Sequence, residues 1–171
     1  MTEPSPPAAS DEPFAGHEPR ERIFLVVVDE TEEMKNALHY ACRRALHTGG
    51  RVALFYTIEP AEFQHWLGVE RVMQEEAREQ AEQTLQGLAA EVHKRTGKMP
   101  VLYLREGRRR DELLALIEEE PGISLLVLGM ASGREGPGPL VTYLVSQGGQ
   151  IRLPVTLVPG ALSETEIDAV T

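Results

Sequence analysis

The sequence has few of the features that several classes of protein require. It contains one cysteine, Cys42, so no internal disulfide can form, and no cluster of cysteine and histidine has the spacing of a metal site. Its longest apolar run near the start, Ile23–Val28, is far shorter than the roughly 20 residues of a membrane-spanning helix. We therefore expect no membrane segment, and the default compartment is the reducing cytoplasm.

Positive charge is also scarce. The chain has 17 Lys and Arg against 27 Asp and Glu, which gives a formal net charge of −10. This balance opposes binding to phosphate backbones and to anionic lipid, so neither nucleic acid nor a membrane surface is an expected partner. Residues 1–20 are acidic and rich in proline, and they lack the basic start and apolar stretch of a secretory signal. We predict a disordered leader there.

The chain does contain short apolar segments that alternate with longer amphipathic stretches. The apolar segments are Ile23–Val28, Val52–Ile58, Met99–Leu104, Ile123–Leu128 and Pro154–Val158. Their alternation predicts an α/β domain over residues 21–160, in which helices cover both faces of a parallel sheet. The first and fourth segments have no period-two alternation, which places them in the middle of the sheet.

Helices are predicted between the strands, where apolar residues recur at steps of three and four. They cover residues 34–46 with a stop at Gly49–Gly50, residues 67–96 with a cap at Gly97, residues 111–120, and a stretch from Pro139 to Gly148–Gly149. Residues 161–171 form a tail or a short helix, since Ser163 and Glu166 have the spacing of a capping box.

A ligand crevice in such a sheet lies beyond the carboxyl ends of the strands. The loop after the first strand, Asp29–Glu33, is acidic and excludes the dinucleotide fingerprint, and the P-loop pattern is absent. The loop after the fourth strand, Gly129–Pro139, is rich in glycine and leads to a helix whose first free N–H groups are expected at Leu140, Val141 and Thr142. It is either a phosphate site at a helix start or a flexible connection in which two prolines remove donors.

Several of these residues also have purely structural interpretations. Asp29 either binds a ligand or caps the first helix, and Thr142 either contacts a ligand or satisfies its own backbone. The run Arg108–Arg110 either attracts an anion or acidic partner or is neutralised by its neighbours Glu106, Asp111 and Glu112, and we favour neutralisation. Cys42, on the apolar face of the first helix, is predicted to be a core residue.

Seven segments of the chain resemble the universal stress protein family. They are IFLVVVDETEE, ALHYACRRALHTGG, VALFYTIEP, VLYLREG, RDELLALIEE, LLVLGMASG and LPVTLVP, within about residues 21–160. The resemblance implies a Rossmann-like three-layer sandwich whose five-stranded parallel sheet has the order 3-2-1-4-5. It also implies a homodimer paired through the last strand and, in one branch of the family, an adenine nucleotide such as ATP in the crevice.

The nucleotide-binding motif of that branch is degenerate here. The motif is Gly, two residues, Gly, nine residues, and then Gly followed by Ser or Thr. Gly129 matches the first glycine, Ser132 stands at the second with Gly133 beside it, and the final pair falls on Val141–Thr142. The hydroxyl is kept and the glycine is lost, so we expect a β-branched side chain where bare backbone would let a phosphate approach.

The resemblance places candidate ligand contacts at the ends of three strands and in the loop after the fourth. Asp29 matches an acidic residue that accepts hydrogen bonds from adenosine, and Thr57 matches a position whose backbone meets adenine. Arg134 adds the one positive charge of the loop. The full candidate set is Val28, Asp29, Thr57, Leu128, Gly129, Gly133, Arg134, Val141 and Thr142.

Two functions follow from these expectations. The first is a stress-response regulatory module that binds an adenine nucleotide. The second is a nucleotide-free dimeric interaction protein of the same fold, which the valine at position 141 and the displaced glycine favour. An enzyme is not expected, because the sequence shows no nucleophile–base pair, metal cluster or well-placed lysine. A response regulator is excluded, since the third strand ends in Leu104–Glu106 without a phosphorylatable aspartate.

Overall fold

The described residues form five parallel strands in one sheet. The computed structural model describes residues 21–60, 67–134, 136–147 and 151–171, so the predicted leader and the stop at Gly148–Gly149 lie outside the described residues. The strands are β1 (Ile23–Val27), β2 (Arg51–Ile58), β3 (Val101–Glu106), β4 (Ile123–Met130) and β5 (Val155–Pro159). Their spatial order is β3-β2-β1-β4-β5, which confirms the prediction.

One strand begins later than the apolar pattern indicates. β3 starts at Val101 rather than at Met99, and the Met99 side chain is 56% exposed. Pro100 has no N–H to donate to a neighbouring strand, so sheet pairing starts after it. The apolar character of Met99 is therefore not evidence of strand pairing.

As predicted, helices lie between consecutive strands, and a short helix follows β5. They are α1 (Glu32–Thr48), α2 (Leu67–Thr96), α3 (Arg109–Glu119), α4 (Pro139–Ser146) and α5 (Glu164–Val170). Gly49 ends α1 with a φ of 66° and donates its N–H to Ala45 O, and Gly97 follows α2 with a φ of 74°. These left-handed conformations explain the glycines at both stops. None of the helices, over the part of the chain that the structure describes, is long and apolar enough to cross a membrane.

The helices cover both faces of the sheet and give three layers. On one face, which we call the α1 face, Phe24, Val26 and Val28 pack with residues of α1, α2 and α5. On the other, the α3 face, Leu25 and Val27 pack with residues of α3 and α4. All five side chains are at most 5% exposed. The missing alternation in the first segment thus reflects burial on both sides, as predicted.

The terminal helix α5 packs against α1. Ser163 and Glu166 form the predicted capping box, and hydrogen bonds from the backbone and hydroxyl of Ser163 lower the pKa of the Glu166 carboxyl. Ile167 is completely buried in the cluster of the α1 face. Asp168 Oδ1 lies 2.9 Å from Nε2 of His39 in α1. An apolar anchor and a polar contact therefore hold α5 to the domain.

Cys42 lies in the core, as predicted. Its side chain is buried among the apolar residues of α1. Burial raises the pKa of the Cys42 thiol to about 11. The thiol is therefore protonated at neutral pH, which is the form without nucleophilic character.

Candidate functional site

The carboxyl ends of β1, β2 and β4 lie side by side at one edge of the sheet. β1 is central, with β2 on one side and β4 on the other. The chain leaves β1 toward α1 and leaves β4 toward α4, which cover opposite faces. The edge between β1 and β4 is therefore the switch point at which ligands bind in such sheets. The structure brings five of the predicted site residues to this carboxyl edge: Val28, Asp29, Thr57, Leu128 and Gly129.

Asp29 follows β1 and is half-buried. Its Oδ1 accepts hydrogen bonds from the backbone N of Thr31 at 3.0 Å and from Thr31 Oγ1 at 2.5 Å. These bonds form an Asx-turn just before α1. The other carboxylate oxygen, Oδ2, accepts no hydrogen bond from the described residues. Asp29 therefore supports the start of α1 with one oxygen and has the other available for a ligand.

Thr57 is the one residue among those described whose polar side chain is buried, with 4% of its surface exposed. Its Oγ1 has no hydrogen-bond partner among the described residues. Ala53 and Phe55 belong to the cluster of the α3 face, so strand alternation places the Thr57 side chain on the same face. An unpaired buried hydroxyl costs about 1–3 kcal/mol of stability. A ligand that pairs with this hydroxyl would remove that cost.

Val28 and Leu128 place only backbone at the carboxyl edge. The Val28 side chain packs on the α1 face, and its N–H donates to Phe55 O at 2.8 Å. The Leu128 side chain packs on the α3 face, and the residue pairs with Leu157 of β5. Both side chains belong to the core, so any ligand contact at these positions would be made through the backbone.

Gly129 has a packing role that the sequence does not reveal. Its predicted place in the loop is wrong, because β4 pairs with β5 as far as Met130 and Pro159 and so includes Gly129. A Cβ atom at Gly129 would lie 2.5 Å from the carbonyl carbon and oxygen of Glu33 and 2.9 Å from Met34 N. The first turn of α1 thus sits directly against this backbone. Glycine is required here whether or not a phosphate binds.

The loop between β4 and α4 turns through two glycines. Gly136 and Gly138 have φ values of 88° and 98°, in the left-handed region that favours glycine. Gly133 and Arg134 are exposed. The arginine that the sequence offers to a phosphate therefore lies at the surface of the carboxyl edge.

The start of α4 is less open to phosphate than the sequence predicts. Val141 is 4% exposed and packs in the cluster of the α3 face, so its side chain belongs to the core. Thr142 donates its hydroxyl to Gly138 O at 2.8 Å and its N–H to the same carbonyl at 3.0 Å. The prediction of a free N–H at Thr142 is therefore wrong. The Thr142 hydroxyl is hydrogen-bonded to the backbone of its own helix, which is the structural one of the two interpretations given above for this residue.

Two residues that meet at the start of α3 are absent from the candidate set predicted from the sequence. Glu59, directly after β2, accepts a hydrogen bond from the Arg109 backbone N at 3.1 Å through Oε1 and so caps α3. Arg109 has a buried Nε with no partner among the described residues. Both carry a signal in the sequence. Glu59 follows β2 as Asp29 follows β1, and Arg109 shares a helix face with Leu113.

The three arginines at the start of α3, Arg108–Arg110, do not act as one group. Arg110 Nε lies 3.1 Å from Asp111 Oδ1, and its guanidinium lies 4.6 Å from the centre of the Tyr143 ring in α4. Glu106, a predicted neutralising neighbour, pairs instead with Arg78 of α2 at 2.8 Å. The expected neutralisation thus holds for Asp111 and not for Glu106. Arg110 links the start of α3 to α4 by a cation–π contact.

Solved structures share this architecture at low sequence identity. Universal stress protein UspA from Lactobacillus plantarum is 16% identical, with a TM-score of 0.69 over 81% of this chain and 98% of that one. The universal stress protein from Archaeoglobus fulgidus in complex with dAMP is 17% identical, with a TM-score of 0.57 over 81% and 97%. A universal stress protein family protein from Arabidopsis thaliana with AMP bound is 13% identical, with a TM-score of 0.56 over 81% and 91%.

The sequence itself carries the family assignment. No curated protein matches it significantly. The model of the universal stress protein family matches residues 21–144, which is well over half of the 171 residues. This span runs from β1 into α4 and so includes the carboxyl edge described above. The chain belongs to the universal stress protein family.

Proposed function

We propose that the protein is a stress-response regulatory module that binds an adenine nucleotide at the carboxyl edge of β1 and β4. The observation that carries the proposal is the placement of two polar groups at this edge: the second carboxylate oxygen of Asp29, which accepts no hydrogen bond from the described residues, and the buried Thr57 hydroxyl, which has no partner among them. An adenosine offers ribose hydroxyls to a carboxylate and ring nitrogens to a hydroxyl. The AMP and dAMP complexes of two structural neighbours support the same ligand class.

The phosphate end of such a ligand would lie toward α4. There the amides of Leu140 and Val141 and the guanidinium of Arg134 provide positive potential. The Thr142 hydroxyl is already bonded to Gly138 O at 2.8 Å. The loop offers one arginine, and one polar group at the start of α4 is already hydrogen-bonded within the protein. These groups are better matched to one phosphate than to three. We therefore propose AMP as a better ligand than ATP.

We expect Asp29→Asn to weaken AMP binding about tenfold or more, since a hydrogen bond to a charged group contributes about 1.5–3 kcal/mol. Asparagine keeps the acceptor oxygen for both Thr31 contacts and replaces the other oxygen with an amide that cannot accept. Glu30→Gln makes the same charge change at an exposed neighbour and should bind like wild type. Calorimetric titration of AMP measures both. Equal weakening in the two variants would indicate a long-range charge effect and would reject Asp29 as a ligand contact.

We also propose that the module binds its nucleotide without hydrolysing it. The loop after β4 contains neither lysine nor histidine to act on a phosphate. Within the described ranges, no group of three or more His, Cys, Asp or Glu could hold a metal ion. A cytoplasmic location fits the lone, buried cysteine.

A nucleotide-free dimeric interaction protein is the second candidate function. An open apolar groove of about 290 Å³ favours it, formed by α4, β5 and the segment before β5 and including Val141, Val145 and Leu157. Among the described residues β5 is the last strand of the sheet, so no strand of that part of the chain pairs with its outer edge, which a second copy could use. We propose that the homodimer pairs through this edge in either function.

We expect Val145→Asp to raise the dimer dissociation constant at least about tenfold. Val145 lines the groove and is 68% exposed in the single chain. A two-fold dimer would bury the new carboxylate twice against apolar surface. Val170→Asp, at a valine of α5 that is 67% exposed, is the matched control and should leave the dimer unchanged. Sedimentation velocity distinguishes the outcomes, and a wild-type protein that stays monomeric would reject the dimer.

A further inference from the structure

We propose that His39 is a pH-sensitive latch that joins α2 to α5 across α1. While the ring is neutral, its Nδ1 accepts a hydrogen bond from Arg95 of α2 and its Nε2 donates one to Asp168 of α5. A second proton on the ring removes the acceptor and releases Arg95. The latch lies among the helices that cover the α1 face, and its action requires no nucleotide.

The His39 side chain contacts both neighbouring helices through its two ring nitrogens. Nε2 lies 2.9 Å from Asp168 Oδ1, and Nδ1 is hydrogen-bonded to Arg95 Nη1. Only 12% of the side chain is exposed, so water has little access to replace either partner. The three residues belong to different helices, and one imidazole therefore connects α1, α2 and α5.

The chemistry of the two partners fixes the protonation state of the ring. A guanidinium has donors and no acceptor, so the Nδ1 that Arg95 contacts carries no proton. An ionised carboxylate only accepts, so the Nε2 that faces Asp168 carries the proton of the neutral ring. A doubly protonated imidazole has two donors and no acceptor. The hydrogen bond from Arg95 can therefore exist only while His39 is neutral.

Charged and titratable groups of three helices face this ring. On α1, Lys35 is paired with Glu32 at 2.9 Å, and burial keeps the Cys42 thiol protonated and uncharged at neutral pH. The remaining groups are Arg43 of α1, Glu91 and Arg95 of α2, and Glu164 and Asp168 of α5. In this set the carboxylates outnumber the guanidinium groups by one. A proton taken up by His39 therefore brings the cluster to neutrality.

Protonation acts in opposite directions on the two contacts. Asp168 gains attraction to the positive ring and stays with α1, where Arg43 Nε also lies 3.0 Å from its Oδ1. Arg95 loses its acceptor and meets a like charge. Its Nη2 lies 2.7 Å from Glu91 Oε1 and 3.7 Å from Glu164 Oε1, so these carboxylates can hold the released guanidinium. Because histidine changes charge between pH 5 and 8, the latch opens under mildly acidic conditions.

A second histidine of α1 provides an internal contrast. His47 is exposed, and its Nδ1 lies 2.9 Å from the carbonyl oxygen of Thr171. A carbonyl oxygen only accepts, so this Nδ1 carries the proton of the neutral ring. A second proton goes to Nε2 and leaves the contact intact. His39 and His47 therefore lie on one helix and respond differently to the same change of pH.

Nitrogen-15 NMR of the histidine rings tests the protonation states. At pH 7.5 His39 should have an unprotonated Nδ1 and a protonated Nε2, whereas His47 should have the reverse. On titration to pH 5.5 the His39 ring should take up a second proton. A His39 ring that has a protonated Nδ1 at pH 7.5, or one that is still neutral at pH 5.5, would overturn the latch.

Arg95→Met tests the release, because methionine keeps an apolar stem and removes every donor. In otherwise wild-type protein the substitution should lower the urea midpoint at pH 7.5 and lower it about half as much or less at pH 5.5, where the contact is already lost. His39→Gln keeps one donor and one acceptor and does not titrate, so in that background the loss should be equal at both pH values. His47→Gln is the matched control, and in that background the loss should depend on pH as in wild type.

Each Arg95→Met protein is compared with its own background at the same pH, so a general effect of acid on the domain cancels. An equal loss at both pH values in the wild-type background would overturn the latch. The same pH dependence in the His39→Gln background would also overturn it, because another group would then be the one that titrates. None of these measurements uses a nucleotide, so their outcome is independent of the proposed function.

Discussion

Gly129→Ala is expected to lower the free energy of unfolding by about 3 kcal/mol, even when no nucleotide is present. The added methyl group would lie 2.5 Å from the carbonyl carbon and oxygen of Glu33 and 2.9 Å from Met34 N. These are backbone atoms in the first turn of α1, so relief requires α1 and β4 to move apart. For a domain of this size, such a loss corresponds to a Tm lower by about 6–12 °C. Thermal unfolding followed by circular dichroism measures it.

Gly87→Ala is the matched control for this prediction. Gly87 lies in α2, it is exposed, and a Cβ atom there would have nothing within 4 Å. Alanine is favoured over glycine in a helix interior by about 0.8–1.0 kcal/mol, so the same substitution should stabilise the protein. A Gly129→Ala protein that is as stable as wild type and fails only to bind nucleotide would contradict the packing role. The glycine would then serve the phosphate alone.

Ile167→Ala is expected to cost about 3 kcal/mol, within the range of about 2–5 kcal/mol for truncating a buried isoleucine. Ile167 is completely buried in the cluster of the α1 face, although it lies beyond residues 21–144, which the family model matches. Chemical denaturation should show a lower midpoint with an unchanged slope.

Val170→Ala, at an exposed position of the same helix, provides the control for Ile167→Ala. Its side chain is 67% exposed, so its effect should stay within about 0.5 kcal/mol. If Ile167→Ala cost no more than Val170→Ala, α5 would not be part of the cooperative domain. A larger loss for Ile167→Ala than for Val170→Ala would instead show that α5 belongs to the cooperatively folded core.

The fold could be predicted because its signals are local. The segments IFLVVV and ISLLVL lack alternation, and a strand with this pattern is stable only when both of its faces are covered. They became β1 and β4, which are neighbours in the interior of the sheet. Gly49 and Gly97 stand where each helix turns into the left-handed region, which a side chain would disfavour.

The site could be predicted only in part, because its decisive contacts join residues that are distant in sequence. Asp29 follows from topology, since it lies at the end of the first strand, whereas Thr57 was identified through the resemblance to the family. The role of Gly129 depends on the approach of Glu33 in α1, which no local pattern contains. Arg109 was treated as one of three similar arginines, whereas helix periodicity sets it on the face of Leu113.

The most direct test of the nucleotide site is to identify and quantify what the protein carries. Wild-type protein purified without added nucleotide would be denatured, its released small molecules identified by mass spectrometry, and AMP and ATP then titrated calorimetrically into emptied protein. We predict either about one adenine nucleotide released per chain or, from empty protein, one AMP site per chain that ATP occupies more weakly. An empty protein that shows no binding of either nucleotide at millimolar concentration would contradict the account and leave the dimeric interaction protein as its function.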